Sequence, residues 1–210
     1  MATILREWSY RYQWLYDTVS KLAAISVGGD YRFRRLFLRD LDIQPDTKVL
    51  DLCCGSGQAT EILVQYSQDV TGLDASPLSL KRAKKNVPQA QYIQAFAEEM
   101  PFSDCLFDLV LTNTAMHEMQ PDQLKQIFKE VYRVLKPNGT FAIVDFHKSN
   151  HWFFKAGVTI FFQLFETETA WQFIDTDVSK LLTETGFTNI SDRLYAGNSL
   201  QVIQGLKLNS

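Results

Sequence analysis

Lys48 to Cys54 reads Lys-Val-Leu-Asp-Leu-Cys-Cys, a short and nearly continuous apolar run that Gly55-Ser-Gly57 ends at once. A run without alternation suits a strand buried on both faces, and such strands belong to parallel sheets covered by helices. Two glycines one residue apart let the chain turn sharply and let a ligand lie against bare backbone. Gln58 to Tyr66 then reads as a helix, so a strand, a glycine turn and a helix succeed one another directly.

The alternation repeats downstream. Strands are expected at Asp69 to Asp74, Tyr92 to Phe96, Phe107 to Asn113 and Thr140 to Phe146. Ser76-Pro77 opens a helix with a capping residue and a proline at its first position. Pro121 to Leu135 is a helix with Leu124, Ile127, Phe128, Val131 and Leu135 on one face, and Pro137-Asn138-Gly139 turns the chain into the next strand. Asp177 to Thr185 is a last helix closed by Gly186, and Ser199 to Leu206 a last strand. Before the first strand, Trp8, Tyr12, Leu15, Val19 and Leu22 mark one helix face, and Tyr31 to Leu41 reads as a second helix. Repeated strand–helix units predict an α/β fold: a Rossmann-like, doubly wound, mostly parallel seven-stranded sheet with N-terminal helices and a helical cap insertion. The 210 residues suit one domain, divided into N-terminal helices over 1–44, a binding core over 45–146, a cap over 147–176 and a final helix and strands over 177–210.

Composition narrows the function. The chain is 46% hydrophobic and 21% charged with a formal net charge of −3, which disfavours a nucleic acid partner. Its one dense basic run, Lys81, Arg82, Lys84 and Lys85, reads as a solvated helix face. Three cysteines, Cys53, Cys54 and Cys105, give neither a secreted disulfide framework nor metal-ligand spacing, so no metal is expected and a cytoplasmic setting is. No stretch approaches the length of a membrane span.

Ligands of such sheets bind beyond the carboxyl ends of the strands. Asp51 lies inside the end of the first strand, where a carboxylate is costly without a partner, and a cationic amino acid moiety would supply one. Asp74 lies 19 residues after Gly55 at the end of the second strand, the position from which an acid accepts ribose hydroxyls. Thr60 stands where the dinucleotide fingerprint has its third glycine, which argues against NAD or FAD.

Together, Val49-Leu-Asp-Leu-Cys-Cys-Gly-Ser-Gly57, Gly72-Leu-Asp74, Ala97-Glu-Glu-Met-Pro-Phe102, Phe107-Asp-Leu-Val110 and Arg133-Val-Leu-Lys-Pro-Asn-Gly139 resemble the ordered motifs of class I S-adenosylmethionine-dependent methyltransferases. The resemblance implies that Asp51, Gly55 and Gly57 hold the methionine end of the cofactor, Asp74 the ribose, and Ala97 and Glu98 the adenine. The candidate cofactor set also includes Ser56, Ala75 and Asn113. Phe96 departs from the pattern, since many relatives carry an aspartate there that bonds the adenine amino group.

A phenol or quinol acceptor needs a base for its proton, and His117, Asp145 and His147, at the ends of strands four and five, are candidates. Trp152 to Phe165 is apolar except for Lys155, Thr159 and Gln163, and residues 151–174 hold eight aromatics. An apolar circumference that wide needs two faces covered, one by the domain and one by an acceptor or a membrane surface. Phe153, Phe161 and Phe162, with Tyr16, are the candidate acceptor pocket. Tyr16-Asp17, Ser26-Val-Gly28-Gly29 and Arg32 to Arg35 resemble the opening of the ubiquinone/menaquinone C-methyltransferases. A small hydrophobic acceptor such as a prenylated quinol is therefore expected, with peripheral membrane contact compatible. The alternatives are a soluble metabolite as acceptor, or a non-catalytic S-adenosylmethionine-binding module.

Overall fold

The computed structural model describes residues 35–149, 159, 162–163 and 167–208. The expected N-terminal helices and most of the Trp152–Phe165 segment, with Tyr16, Phe153 and Phe161, lie outside the described residues.

The strands are β1 (Lys48–Leu52), β2 (Asp69–Asp74), β3 (Gln91–Gln94), β4 (Phe107–Asn113), β5 (Leu135–Phe146), β6 (Thr188–Tyr195) and β7 (Leu200–Leu206). They form one sheet in the order β3-β2-β1-β4-β5-β7-β6. Neighbours from β3 to β5 run parallel, while β7 is antiparallel to both β5 and β6. Chain order reverses on either side of β1, so a crevice opens between the ends of β1 and β4, where such sheets bind ligands.

Helices cover both faces. On one lie α1 (Gln58–Leu63), with Ala59, Ile62 and Leu63 buried, and a short 3-10 turn at Leu36–Leu38 that buries Phe37. On the other lie α3 (Pro121–Val134), α4 (Glu168–Ile174) and α5 (Val178–Thr185), packed through Leu124, Ile127, Phe128, Val131, Phe173 and Leu182 onto Val110, Phe141 and Ile143. The α2 helix (Pro77–Asn86) links β2 to β3. Local chemistry sets the ends: the Ser76 hydroxyl accepts from the Ser79 amide, Gln120 and Gln123 form a reciprocal capping box, and Gly186 closes α5 at φ 113°.

Three elements differ from the sequence reading. The region near Leu41 holds only the 3-10 turn, not a helix running to that residue. The β5 strand begins at Leu135, before the expected Pro137–Gly139 turn, which is absorbed as a register shift opposite β4. The edge strand β6 had no apolar signature, because little of it is buried.

The loop between β3 and β4 is tied to α3. Arg133 of α3 donates to the carbonyls of Met100 and Phe102 and to Asp104 and Glu130, while Glu130 accepts from the Met100 amide. This pairing holds the Glu130 carboxyl below its usual range and pushes the guanidinium up. Arg133→Ala should cost about 2 kcal/mol by chemical denaturation, because two carbonyls and two carboxylates lose a donor. Lysine should recover little, since it lacks the fork. An alanine variant of unchanged stability with unchanged hydrogen exchange over 97–104 would contradict this role.

Candidate active site

The loops that leave the carboxyl ends of β1, β2, β3 and β4 build the site. Asp74, the last residue of β2, accepts from the Gly55 amide at 2.9 Å through one carboxylate oxygen and from the Ser76 amide at 2.8 Å through the other. The glycine loop and the start of α2 are thereby fixed to the same carboxylate. Each oxygen keeps acceptor capacity, so two adjacent hydroxyls of a ribose could be met together. Ser56 is tied to α2, its carbonyl accepting from the Asn86 side chain.

The two glycines differ in what they face. A side chain at Gly55, φ 56°, would meet nothing nearer than the Gln58 side-chain oxygen at 3.7 Å, so this is the open side of the loop. At Gly57, φ 88°, it would meet Ala83 and Val87 at 3.4 Å, against α2. Gly57 therefore has a packing reason to lack a side chain, the close approach of α2, in addition to its turn geometry, while the space beside Gly55 is open to a ligand. Cys53 holds φ 57°, a conformation that side chains rarely adopt.

Asp51 is 1% exposed, and its described side-chain partner is the Thr60 hydroxyl at 2.5 Å. Burial pushes its carboxyl up to about 7, with the Asp74 charge adding to the shift and the Thr60 bonds opposing it. Thr60, read in the sequence only as a missing glycine, is therefore the residue that holds Asp51, and the missing glycine was the one signal that marked it. The Cys53 thiol is pushed up by burial and then by the carboxylates of Asp74, Glu118, Asp51 and Glu98, which marks four acids converging on one small region. Such a region attracts a sulfonium and an ammonium and repels the phosphates of a dinucleotide. At the end of β4 the Asn113 side-chain oxygen is buried without a hydrogen-bond partner among the described residues, an acceptor suited to a ligand's N–H or O–H.

Ala75 and Ala97 flank the crevice from β2 and β3: the Ala75 carbonyl accepts from Gln94, and Ala97 is 4% exposed. Glu98 is oriented by Gln123 of α3 at 2.8 Å. His117 and Asp145, two of the candidate bases, meet Nδ1 to carboxylate at 2.6 Å, both buried. His147 stands apart from them, its Nδ1 against the Asn198 carbonyl in the β6–β7 turn. Phe162, fully buried, packs edge-on against Phe146 and Trp171, and Phe146 meets the His117 ring in the same way.

This arrangement defines a crevice for a cationic, ribose-bearing ligand at the switch point of a doubly wound sheet. Comparison with known proteins agrees. A methyltransferase domain family matches residues 49–139. An uncharacterized methyltransferase from Synechocystis sp. is 57% identical over 204 residues, covering 97% of this chain and 96% of that one. A demethylmenaquinone methyltransferase from Lactobacillus johnsonii is 30% identical over 201 residues, covering 83% and 81%. Among solved structures, a TehB-like S-adenosylmethionine-dependent methyltransferase from Corynebacterium glutamicum matches with a TM-score of 0.66 at 17% identity over 98% of each chain. A second such methyltransferase, from Methanosarcina mazei, matches with 0.60 at 23% identity, over 80% of this chain and 95% of that one. These two share the fold.

The chain belongs to the S-adenosylmethionine-dependent methyltransferases. The cofactor supplies an activated methyl group on sulfur, and the crevice suits it: Asp74 would take the ribose, Gly55 and Asn113 the methionine end, and Asp51 the cationic amino group.

This geometry can be tested at two points. The folded-state value of Asp51 lies above its ordinary one, so ionising it costs stability as pH rises toward 7, by up to about 4 kcal/mol above that point. Asp51→Asn should therefore stabilise the free protein at alkaline pH and less so at acidic pH. In the wild type, S-adenosylmethionine affinity should fall about tenfold per pH unit below the Asp51 value, a dependence absent from the Asn variant. Calorimetry showing the same pH profile in both would refute the assignment. Second, Gly57→Val should cost about 2 kcal/mol of stability through strain and overpacking. Gly55→Ala should lose more in cofactor affinity than in stability, and the reverse ranking would contradict the division of roles.

Proposed function

We propose that the methyl acceptor is a small hydrophobic ring compound bearing an ionisable hydroxyl, of the prenylated quinol type. The observation that carries this reading is the buried His117–Asp145 pair set against Phe146 at the carboxyl end of β5. Asp145 accepts from the backbone amides of Met116, His117 and Phe146 as well as facing His117 Nδ1. A carboxylate facing Nδ1 favours the ring proton on that nitrogen, which leaves Nε2 as the nitrogen with a lone pair. Removing the proton of a ring hydroxyl raises electron density at the neighbouring ring carbon, the nucleophile that a C-methylation needs.

Around this pair, Phe146 and Trp171 offer aromatic surface backed by the buried Phe162, and burying a greasy acceptor contributes about 0.8 kcal/mol per methylene. The reading also draws support from relatives named demethylmenaquinone methyltransferase, at 30% identity in Lactobacillus johnsonii and 31% in Lactiplantibacillus plantarum. It includes a cytoplasmic enzyme that meets its acceptor at a membrane surface. Among the described residues no helix is long and apolar enough to cross a membrane.

Methyl-labelled S-adenosylmethionine, offered with a panel of quinols, phenols and soluble metabolites, should label a ring carbon of a quinol. Label on soluble metabolites alone would overturn the proposal. His117→Gln should lower kcat about a hundredfold with cofactor affinity kept, and Asp145→Asn should shift the acidic limb of the pH–rate profile. Full activity in His117→Gln would remove the base.

A further inference from the structure

Asp51, Gly72 and Tyr92 stand in one cross-strand row, carried by β1, β2 and β3. Residues in register on parallel strands share a face of the sheet, and Gly72 leaves the middle of this row bare. A Cβ there would come within 2.9 Å of two Tyr92 ring atoms and of the Cys54 sulfur. The Tyr92 ring therefore lies across the glycine backbone, reaching from the edge strand toward β1. Its phenol donates to the Val87 carbonyl, just after α2, at 3.0 Å and stands within hydrogen-bonding reach of the Thr60 side chain. Thr60, fully buried, is in turn 2.5 Å from Asp51. An acid, a hydroxyl, a phenol and a carbonyl thus follow one another from the crevice to the end of α2.

This series gives every O–H an acceptor when Asp51 carries a proton. The Asp51 O–H then donates to Thr60, Thr60 to Tyr92, and Tyr92 to the Val87 carbonyl, which ends the series. When Asp51 is ionised, the Thr60 hydroxyl turns to the carboxylate in a stronger, charge-assisted bond, and Tyr92 keeps Val87. Burial, and after it the neighbouring Cys54 and Asp51, push the phenol up to about 12 against the opposing Thr60 bond, so Tyr92 remains a donor in both states. Among the described residues, the other titratable groups set against Asp51 are Asp74 at the end of β2 and the Cys53 and Cys54 thiols after β1. The β4 strand places Leu111 in register with it. None of these is a cation.

We infer that Tyr92 and Thr60 are positioning residues of the cofactor site, forming with the Val87 carbonyl a hydrogen-bond series that holds a proton on Asp51 until the cofactor's ammonium group arrives. The inference rests on the cofactor placement given above. On binding, the Asp51 O–H bond breaks, its proton passes to solvent, and the carboxylate left behind pairs with the ammonium. No bond of the cofactor changes. The two hydroxyls act on Asp51 in opposite directions. Without the Tyr92 hydroxyl, the Thr60 proton loses its acceptor in the protonated state, so ionisation becomes easier. Without the Thr60 hydroxyl, the carboxylate loses its charge-assisted bond, so ionisation becomes harder.

The free protein tests this first. Carbon-13 NMR titration of the Asp51 carboxyl in wild type should give a midpoint of about 7. Tyr92→Phe should lower it by roughly 0.5–1 pH unit and Thr60→Val should raise it by a similar amount, with Thr60→Ser close to wild type. Phenylalanine keeps the ring over Gly72, and circular dichroism checks that each variant is folded. Calorimetry of S-adenosylhomocysteine binding in two buffers of different ionisation enthalpy then counts protons. At about pH 6.5, wild type should release about twice as many per ligand as Tyr92→Phe. Shifts of the same sign from Tyr92→Phe and Thr60→Val, as general disruption would give, would overturn the inference, and so would an unmoved midpoint in Tyr92→Phe. Midpoints that move as expected while wild type releases no proton on binding would instead overturn the cofactor placement, a distinguishable result.

Discussion

The carboxylate of Asp74 organises the site. By accepting from the Gly55 and Ser76 amides it fixes the turn after β1 to the turn after β2. These turns belong to neighbouring parallel strands, paired Leu52 to Leu73, so their relative position is set by the sheet and locked by one side chain. The same oxygens then face the crevice with lone pairs in reserve. A ribose on this carboxylate would thus be held by the same group that joins the two turns.

Around that anchor the protein carries electrostatic tension. Asp51 is buried with a hydroxyl as its described side-chain partner, and its carboxyl is pushed up to about 7, so it resists ionising until a cation arrives. Burial, and after it the charges of four acids, push the Cys53 thiol up. Cys53 itself sits at a positive φ that costs roughly 1–2 kcal/mol for a residue with a side chain. These costs are concentrated beside the ends of β1 and β2 and are offset by the large apolar layers under α3 and α1. A site that is unfavourable when free and relieved by a positively charged ligand is a physical account of selectivity for a sulfonium over a dinucleotide.

Much of this was legible in the chain because it depends on local pattern. The continuous apolar run of β1, the Gly-Ser-Gly turn and the stripe of α3 each have a short-range cause, and Asp51 and Asp74 were found from their distance to the glycines. The features that could not be read depend on long-range packing. The different surroundings of the two glycines are set by Ala83 of α2 and by Val87 just after it, not by the turn itself. Thr60 gains its role only when α1 folds it back on Asp51. The β6 strand pairs at the sheet edge with little burial, so its sequence Thr-Asn-Ile-Ser-Asp-Arg-Leu-Tyr shows no clear face. His117 and His147 look equivalent in sequence, yet Asp145 engages the first while the second is drawn to the Asn198 carbonyl.

A crystal structure of the S-adenosylhomocysteine complex tests most directly whether Asp74 joins the glycine loop to the ribose of the cofactor. Both ribose hydroxyls should lie within about 3 Å of the two Asp74 oxygens, with the Gly55 amide still bonded to that carboxylate. A ligand with its ribose elsewhere, or an Asp74 turned away from the sugar, would contradict that role.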